Sequence, residues 1–223
     1  MASLLLIVAA GSGTRLGLAE PKALVPLAGR PLLSWTLAAL APARCGRTMV
    51  AAPPDRLDVF RRLAGDAVGV VAGGETRSAS VRRGFESLQP SDGDVVAVHD
   101  AARPLVTAEE ARQVVAAAER AGAAIAAIPV VDTIKLVHES RIVRTVDRSE
   151  LWAAATPQAF RAGILRRALE SGRDATDEAA LCEDLGIPVE VVAISRLGFK
   201  ITTPEDLELA EAVIRFRTKG GAR

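Results

Sequence analysis

Short, predominantly apolar runs alternate with stretches of helical spacing along the chain, and this alternation leaves few folds open. The runs cover residues 4–10, 48–52, 69–72, 95–99, 124–129 and 189–194; the helical stretches cover 31–40, 56–63, 78–88, 108–121, 162–171, 177–185 and 204–216. A strand without polar alternation is buried on both faces, and strands separated by helices pair in parallel. The pattern therefore predicts an α/β fold with a mostly parallel sheet covered on both sides. Two helix starts are marked. Thr107-Ala-Glu-Glu110 has the spacing of a capping box, and Thr203-Pro-Glu-Asp206 sets a cap, a proline at the first helical position and acids in the first turn. A length of 223 residues suits a single domain over 1–223.

One segment breaks the rhythm. PVVDTIKLVHESRIVRTVDRSELW, residues 129–152, holds two β-rich stretches around His-Glu-Ser-Arg with no helical period between them. It reads as a β-hairpin, an arm inserted at about 130–152. An arm bearing Val, Ile and Leu has little core of its own, so it is expected to reach across a partner subunit, most simply in a twofold dimer. A hairpin folded back on its own domain is the other reading.

Composition narrows the partners. Hydrophobic residues make up 49% and charged residues 25%, the balance of a globular chain. A net charge of +1 argues against a nucleic-acid footprint, and 3% aromatics leaves little for stacking single strands. Cys45 and Cys182 form no CxxC motif, and two His make a zinc site of the usual ligands improbable. The N-terminal run lacks the basic flank of a signal peptide, and no stretch approaches the length of a membrane span. A small-molecule partner, no membrane and a cytoplasmic location are expected.

The first apolar run breaks into Gly11, Ser12 and Gly13, with Arg15 and Lys22 beyond. It is not the dinucleotide fingerprint, because Leu16 stands where the third glycine belongs and no acid follows the second strand. It is not a P-loop either. Two readings stand: a plain strand-ending turn, or a loop wrapping a nucleotide with Arg15 and Lys22 facing the phosphates. In a parallel sheet ligands bind beyond the carboxyl ends of strands. GGETRSAS (73–80) and HDAARP (99–104) fall at such ends, offering backbone donors, Arg77, Ser80, Asp100 and Arg103. Asp100 suits a divalent cation or a substrate hydroxyl; capping, or an ion pair with Arg103, competes with that. Arg148, Thr156, Thr176 and Lys200 lie in further loops, each alone more often a solvated surface group than a ligand.

Taken in order, AAGSGTRLG, PKALVPLAGRPLL, GGETRSASV, HDAARP, PVVDTIK, TVDRSELWAAATPQAF, TDEAAL and FKITTPEDL resemble the 2-C-methyl-D-erythritol 4-phosphate cytidylyltransferases. This family of the non-mevalonate isoprenoid pathway joins CTP to a methylerythritol phosphate. The resemblance runs from residue 4 to about 212. It implies a Rossmann-like nucleotidyltransferase domain whose β-arm makes a homodimer, with Mg²⁺ or another divalent cation held chiefly by phosphates and water, Asp100 being the candidate protein ligand. Arg15 and Lys22 would hold the α-phosphate and stabilise its transition state. Ala9, Ala10, Gly74, Glu75 and Ser80 would surround cytosine and ribose, joined by Gly11, Gly13 and Arg77 of the same loops. Asp100 and Ala101 would lie between ribose and acceptor, and Lys200 would position the acceptor beside Arg103. Thr133 and Arg148 would meet the acceptor's phosphate from the neighbouring subunit, with Thr156 and Thr176 nearby. Glu75 stands where many relatives carry Asp, and Thr14 where some carry a second basic residue. Transfer to another polyol phosphate such as ribitol 5-phosphate, and a non-catalytic nucleotide binder, are the competing functions.

Overall fold

The computed structural model describes residues 1–11, 13, 20–43 and 45–220. Its centre is a seven-stranded sheet in the order β11-β7-β10-β6-β1-β4-β5. The strands are β1 (Ser3–Val8), β4 (Arg47–Ala52), β5 (Val68–Ala72), β6 (Val95–Asp100), β7 (Ala123–Pro129), β10 (Trp152–Arg161) and β11 (Glu190–Ala193). β2 (Pro26–Leu27) and β3 (Arg30–Pro31) form a small separate ribbon, and β8 (Ile134–His138) with β9 (Arg141–Val146) forms another. The helices are α1 (Leu32–Leu40), α2 (Leu57–Ala64), α3 (Arg77–Leu88), α4 (Ala108–Ala121), α5 (Ala162–Glu170), α6 (Glu178–Asp184) and α7 (Pro204–Gly220).

The apolar runs are explained by where their side chains go. In β1, Leu5 and Ile7 pack with Leu33 and Leu40 of α1, Phe60 of α2 and Val114 of α4. The alternate residues Leu4 and Leu6 pack with Val81 and Phe85 of α3 and Leu165 of α5 on the opposite face. β6 divides the same way, and all six of its positions are buried. Side chains alternate between faces with period two, so a strand with helices on both sides must be apolar throughout. α7 belongs to a third cluster, where Ala210 and Ile214 meet Leu27, Leu32 and Ile201.

β1 pairs in parallel with β4 and β6, β4 with β5, and β11 with β7. β10 runs antiparallel to both of its neighbours, β6 and β7. This strand departs from the sequence reading, which placed nothing regular between the arm and the helix at 162. Pro157 is the reason: proline lacks the N–H that a central strand uses and argues against a strand there. The ladder tolerates it because the register with β7 shifts between Ala154 and Gln158, where the Thr156–Pro157 bond is cis. Both predicted helix starts are present. Thr107 and Glu110 form the reciprocal capping box, while Thr203 Oγ1 accepts from the Asp206 N–H and Asp206 Oδ2 accepts from the Thr203 N–H.

The hairpin also forms, turning at Glu139 and Ser140, whose φ values of 44° and 62° are the left-handed pair of a tight hairpin turn. The adjacent residues Leu136 and Val137 are 46% and 51% exposed, and Ile142 and Val143 66% and 58%. Neighbours point to opposite faces of a strand, so neither face of this ribbon is covered by its own chain.

α3 crosses β1 at closest approach through Gly84, where an added Cβ would lie 2.2 Å from Leu6 Cδ1. Leu6 is fully buried and has no room to yield. Gly84→Ala is expected to lower stability by about 1–3 kcal/mol in urea unfolding. An unchanged midpoint would show that the two elements can separate without loss.

Candidate active site

The carboxyl ends of β1, β5 and β6 open into a cleft of about 410 Å³. It brings together most of the residues singled out in the sequence: Ala9, Ala10, Gly11, Gly13, Lys22, Gly74, Glu75, Arg77, Ser80, Asp100, Ala101 and Lys200 all line it. Arg15 lies outside the described residues.

Two glycine segments shape one side. The Lys22 N–H donates to the Gly11 carbonyl at 3.2 Å, drawing together the two ends of the segment after β1. Gly13 has φ +71°, and a Cβ there would stand 3.1 Å from the Glu20 carbonyl oxygen. At Gly74 a Cβ would fall 2.4 Å from that of Ala79, so only glycine lets the chain pass this close to the first turn of α3. Ser80 Oγ accepts from the Gly74 N–H at 3.0 Å and reaches the Thr76 carbonyl at 2.9 Å. The hydroxyl expected to meet a base thus folds the loop that lines the cleft. Thr76 caps α3 by accepting from the Ala79 N–H, and the positive end of that helix faces the cleft.

The opposite side is organised by Asp100, at the end of β6 and only 7% exposed. Its Oδ2 accepts from Lys200 Nζ at 2.7 Å and its Oδ1 from Arg77 Nε at 3.3 Å, with Arg103 Nε 4.0 Å away. Burial pushes this carboxyl's pKa up, but Arg77 and Lys200 outweigh it and hold the group well below the usual carboxylate range. Lys22 Nζ donates to the Ile201 carbonyl at 2.9 Å, and the Ile201 N–H donates to the Ala102 carbonyl. Lys22 is thereby carried across the cleft to the residue beside Lys200.

Behind Asp100 lies a buried polar set. His99 Nε2 faces the Arg103 carbonyl at 3.3 Å and must donate to it, which leaves Nδ1 to accept from Thr156 Oγ1 at 3.2 Å. The Thr156 hydroxyl in turn accepts from the Asp100 N–H at 3.0 Å. Burial drives the His99 pKa down to about 4, with the Asp100 carboxylate only partly opposing it, so the ring is neutral.

The geometry shows what several of the residues singled out in the sequence touch. Arg77 lines the cleft with its charge already paired: its Nη1 donates to Glu178 Oε1 at 2.6 Å while its Nε holds Asp100. Burial works against the Arg77 charge, but Glu178 and Asp100 more than restore it and raise its pKa. Arg103 donates to the carbonyls of Gly198 and Ala154 and so ties loops together. Thr156 is buried beneath Asp100 and does not line the cleft. Thr176 is exposed outside the cleft lining, and Thr133 and Arg148 sit at the exposed base of the hairpin, where Arg148 donates to the Val131 carbonyl. As a metal ligand Asp100 fits poorly, since a dication would displace two cations from its oxygens. Among the described residues no group of three or more His, Cys, Asp or Glu converges elsewhere. Sequence reading includes Glu178 within TDEAAL but gives it no role, because it looks like an ordinary acid in a helix's first turn. Sequence reading missed Thr36, whose hydroxyl reaches the Ala101 carbonyl at 2.9 Å from within α1.

A family model described as 2-C-methyl-D-erythritol 4-phosphate cytidylyltransferase matches residues 3–216. The chain belongs to that family. A cytidylyltransferase of this name from Syntrophotalea carbinolica is 44% identical, the match spanning 96% of this chain and 97% of that protein. One from Prochlorococcus marinus is 46% identical over 96% and 98% of the two chains. The crystal structure of the cytidylyltransferase from Thermus thermophilus superposes with a TM-score of 0.80 at 37% identity, covering 96% of this chain and all of that one. The cleft therefore stands in a cytidylyltransferase fold, and no helix among the described residues is long and apolar enough to cross a membrane.

The neutral His99 has a consequence for stability. Its folded pKa of about 4 lies below the ordinary 6.5, so the unfolded chain binds the extra proton. Its contribution to stability is complete above 6.5 and is lost as pH falls toward 4, amounting to about 2 kcal/mol between pH 7.5 and 5. Denaturant unfolding at those two pH values should show this loss in the native protein and a shallower one in His99→Gln. Equal slopes would mean that the ring is protonated in the fold.

Proposed function

We propose that the chain transfers the cytidylyl group of CTP to 2-C-methyl-D-erythritol 4-phosphate, giving 4-diphosphocytidyl-2-C-methyl-D-erythritol and pyrophosphate. The observation that carries this reading, given the family, is the convergence of Lys22 and Lys200 on one cleft beside the glycine segments after β1 and β5. A phosphate oxygen of the acceptor forms a bond to the α-phosphorus of CTP as the bond to the pyrophosphate oxygen breaks. The acceptor phosphate is largely dianionic near neutral pH, its second pKa being about 6, so the attack needs no proton-abstracting side chain. That agrees with a cleft whose neighbouring imidazole, His99, is buried, neutral and hydrogen-bonded at both nitrogens.

The obstacle is electrostatic. Two unit charges about 4 Å apart repel by about 1 kcal/mol in bulk water and several-fold more in a partly dry site. Arg15 and Lys22 are assigned to the α-phosphate and its transition state, and Lys200 to the acceptor, with Asp100 setting the height of that ammonium. The backbone at Ala9, Ala10, Gly11, Gly13, Gly74 and Glu75 is assigned to the nucleotide. Mg²⁺ belongs to the proposal as a companion of the phosphate oxygens and water, with no protein ligand required.

Thr133 and Arg148 are assigned to the acceptor phosphate of a second copy. What supports this is the hairpin: it leaves Leu136, Val137, Ile142 and Val143 uncovered by its own chain, and these two residues sit at its base. The assembly is then a homodimer of cytoplasmic chains, each arm completing its partner's cleft.

Pyrophosphate release from CTP and 2-C-methyl-D-erythritol 4-phosphate tests the reaction, with ribitol 5-phosphate expected to be turned over poorly. Lys22→Ala and Arg15→Ala should each lower kcat on the order of 10²–10³-fold; native turnover in either would remove that residue from the mechanism. Arg148→Ala should raise the acceptor KM and leave that for CTP nearly unchanged. Mixed dimers of Arg148→Ala with Lys22→Ala should regain activity, whereas verified heterodimers without activity would assign the arm to its own subunit.

A further inference from the structure

The carboxylate that holds Arg77 from behind, Glu178, does not line the cleft and has no role in the assignments above. It is the first residue of α6 and is 1% exposed. Its Oε1 takes Arg77 Nη1 at 2.6 Å, Arg77 Nε reaches Asp100 Oδ1 at 3.3 Å, and Asp100 Oδ2 holds Lys200 at 2.7 Å. Four groups of alternating charge thus run from α6 through the start of α3 and the end of β6 to the segment ahead of α7.

The segment bearing Glu178 is fastened on both sides. Thr76 Oγ1 donates to Asp174 at 2.6 Å, and the Ala175 N–H donates to Ser78 Oγ at 3.1 Å. From the other side, Gln158 of β10 accepts from the N–H groups of Glu178 and Ala179 and donates to Asp177. The carboxylate is therefore held in place, although its second oxygen and Nη2 of Arg77 are buried without a hydrogen-bond partner among the described residues. An ion pair buried this way is a poor source of stability compared with an apolar pair of the same size, so its effect is better sought in geometry.

A guanidinium prefers to grip a carboxylate with two parallel hydrogen bonds. Without Glu178, Asp100 is the carboxylate left to Arg77 among the described residues, and a two-pronged grip would compete for the oxygen that Lys200 now holds. We propose that Glu178 is a positioning residue: by holding Nη1 of Arg77 it leaves Oδ2 of Asp100 to Lys200, and so fixes the ammonium that receives the acceptor. This rests on the assignment of Lys200 to the acceptor in the cytidylyl transfer.

Steady-state kinetics of the full-length enzyme with each substrate varied in turn provide the test. Glu178→Gln, which keeps size and removes charge, should raise the acceptor KM on the order of tenfold while the CTP KM stays within about twofold. Replacing the forked guanidinium as well, in Arg77→Lys/Glu178→Gln, keeps a cation beside Asp100 but removes the two-pronged grip, and should return the acceptor KM toward the native value. This double variant also leaves no unpaired guanidinium buried, so it reports even where Glu178→Gln alone fails to fold. In a Lys200→Gln background, Glu178→Gln should leave the acceptor kcat/KM within about twofold. A double variant as impaired as the single one, or equal losses for both substrates, overturns the proposal. A native enzyme that releases no pyrophosphate overturns the reaction itself; an active native enzyme indifferent to Glu178→Gln overturns only the role of Glu178.

Discussion

A carboxylate at the end of the central strand is the interaction on which the rest of the site depends. Asp100 is buried, and a buried charge is costly unless opposite charges surround it. The fold supplies them from separate places: Arg77 from the start of α3, Lys200 from the segment before α7, and Arg103 from the turn that follows β6. Arg77 and Lys200 are thereby drawn to the cleft at the rim of the sheet, while Arg103 ties the neighbouring loops. A negative group at the heart of a phosphate-binding cleft looks contradictory until it is seen as the anchor that keeps mobile basic side chains aimed inward. His99, the residue before it, is neutral for the opposite reason, since burial penalises its charge and no carboxylate touches its ring. Two neighbouring titratable groups are set apart by their partners rather than by depth.

β10 supports this arrangement from within the sheet. It lies between β6 and β7 and runs against both, so its side chains reach the site from behind the strand that carries Asp100. Thr156 holds the Asp100 N–H, and Gln158 holds the first N–H groups of α6. One strand thus connects the carboxylate to the helix whose Glu178 steadies Arg77. The Gly84 contact with Leu6 serves a related end, letting α3 lie close enough to β1 for its first residues to reach the cleft.

What could be read from the sequence follows from what local chemistry determines. Strands covered by helices announce themselves as mainly apolar runs, so β1, β4, β5, β6 and β7 were visible, as was the exposed edge strand β11 through its Val191-Val192-Ala193 and as were the capped starts of α4 and α7. The glycine segments were visible because close approach permits nothing larger. β10 was hidden because Pro157 argues against a central strand, and only the shifted pairing with β7 accommodates it. The cleft-lining residues were legible as a set because they follow strand ends. Their individual duties were not, because a duty depends on which distant groups a side chain meets. Arg77 reads as a free cation and Glu178 as a surface acid at a helix start, yet they are 101 positions apart and bonded to each other. Sequence separation of that size leaves no local trace.

The balance of charge in the cleft argues for a contribution from outside it. Lys22, Lys200 and Arg77 face it, but Asp100 takes two of these cations and Glu178 takes Arg77 again from behind. With Glu75 also in the lining, these charges nearly balance, against a triphosphate and an acceptor phosphate that together carry several negative charges. The cations proposed above to supply the rest are Arg15, a divalent ion on the phosphates, and Arg148. The last stands on a hairpin whose apolar residues its own chain leaves bare. Covering those residues with a second copy would remove them from water and bring a basic residue toward a cleft that is short of positive charge. Burial and electrostatics thus favour the same assembly, the twofold arrangement proposed above.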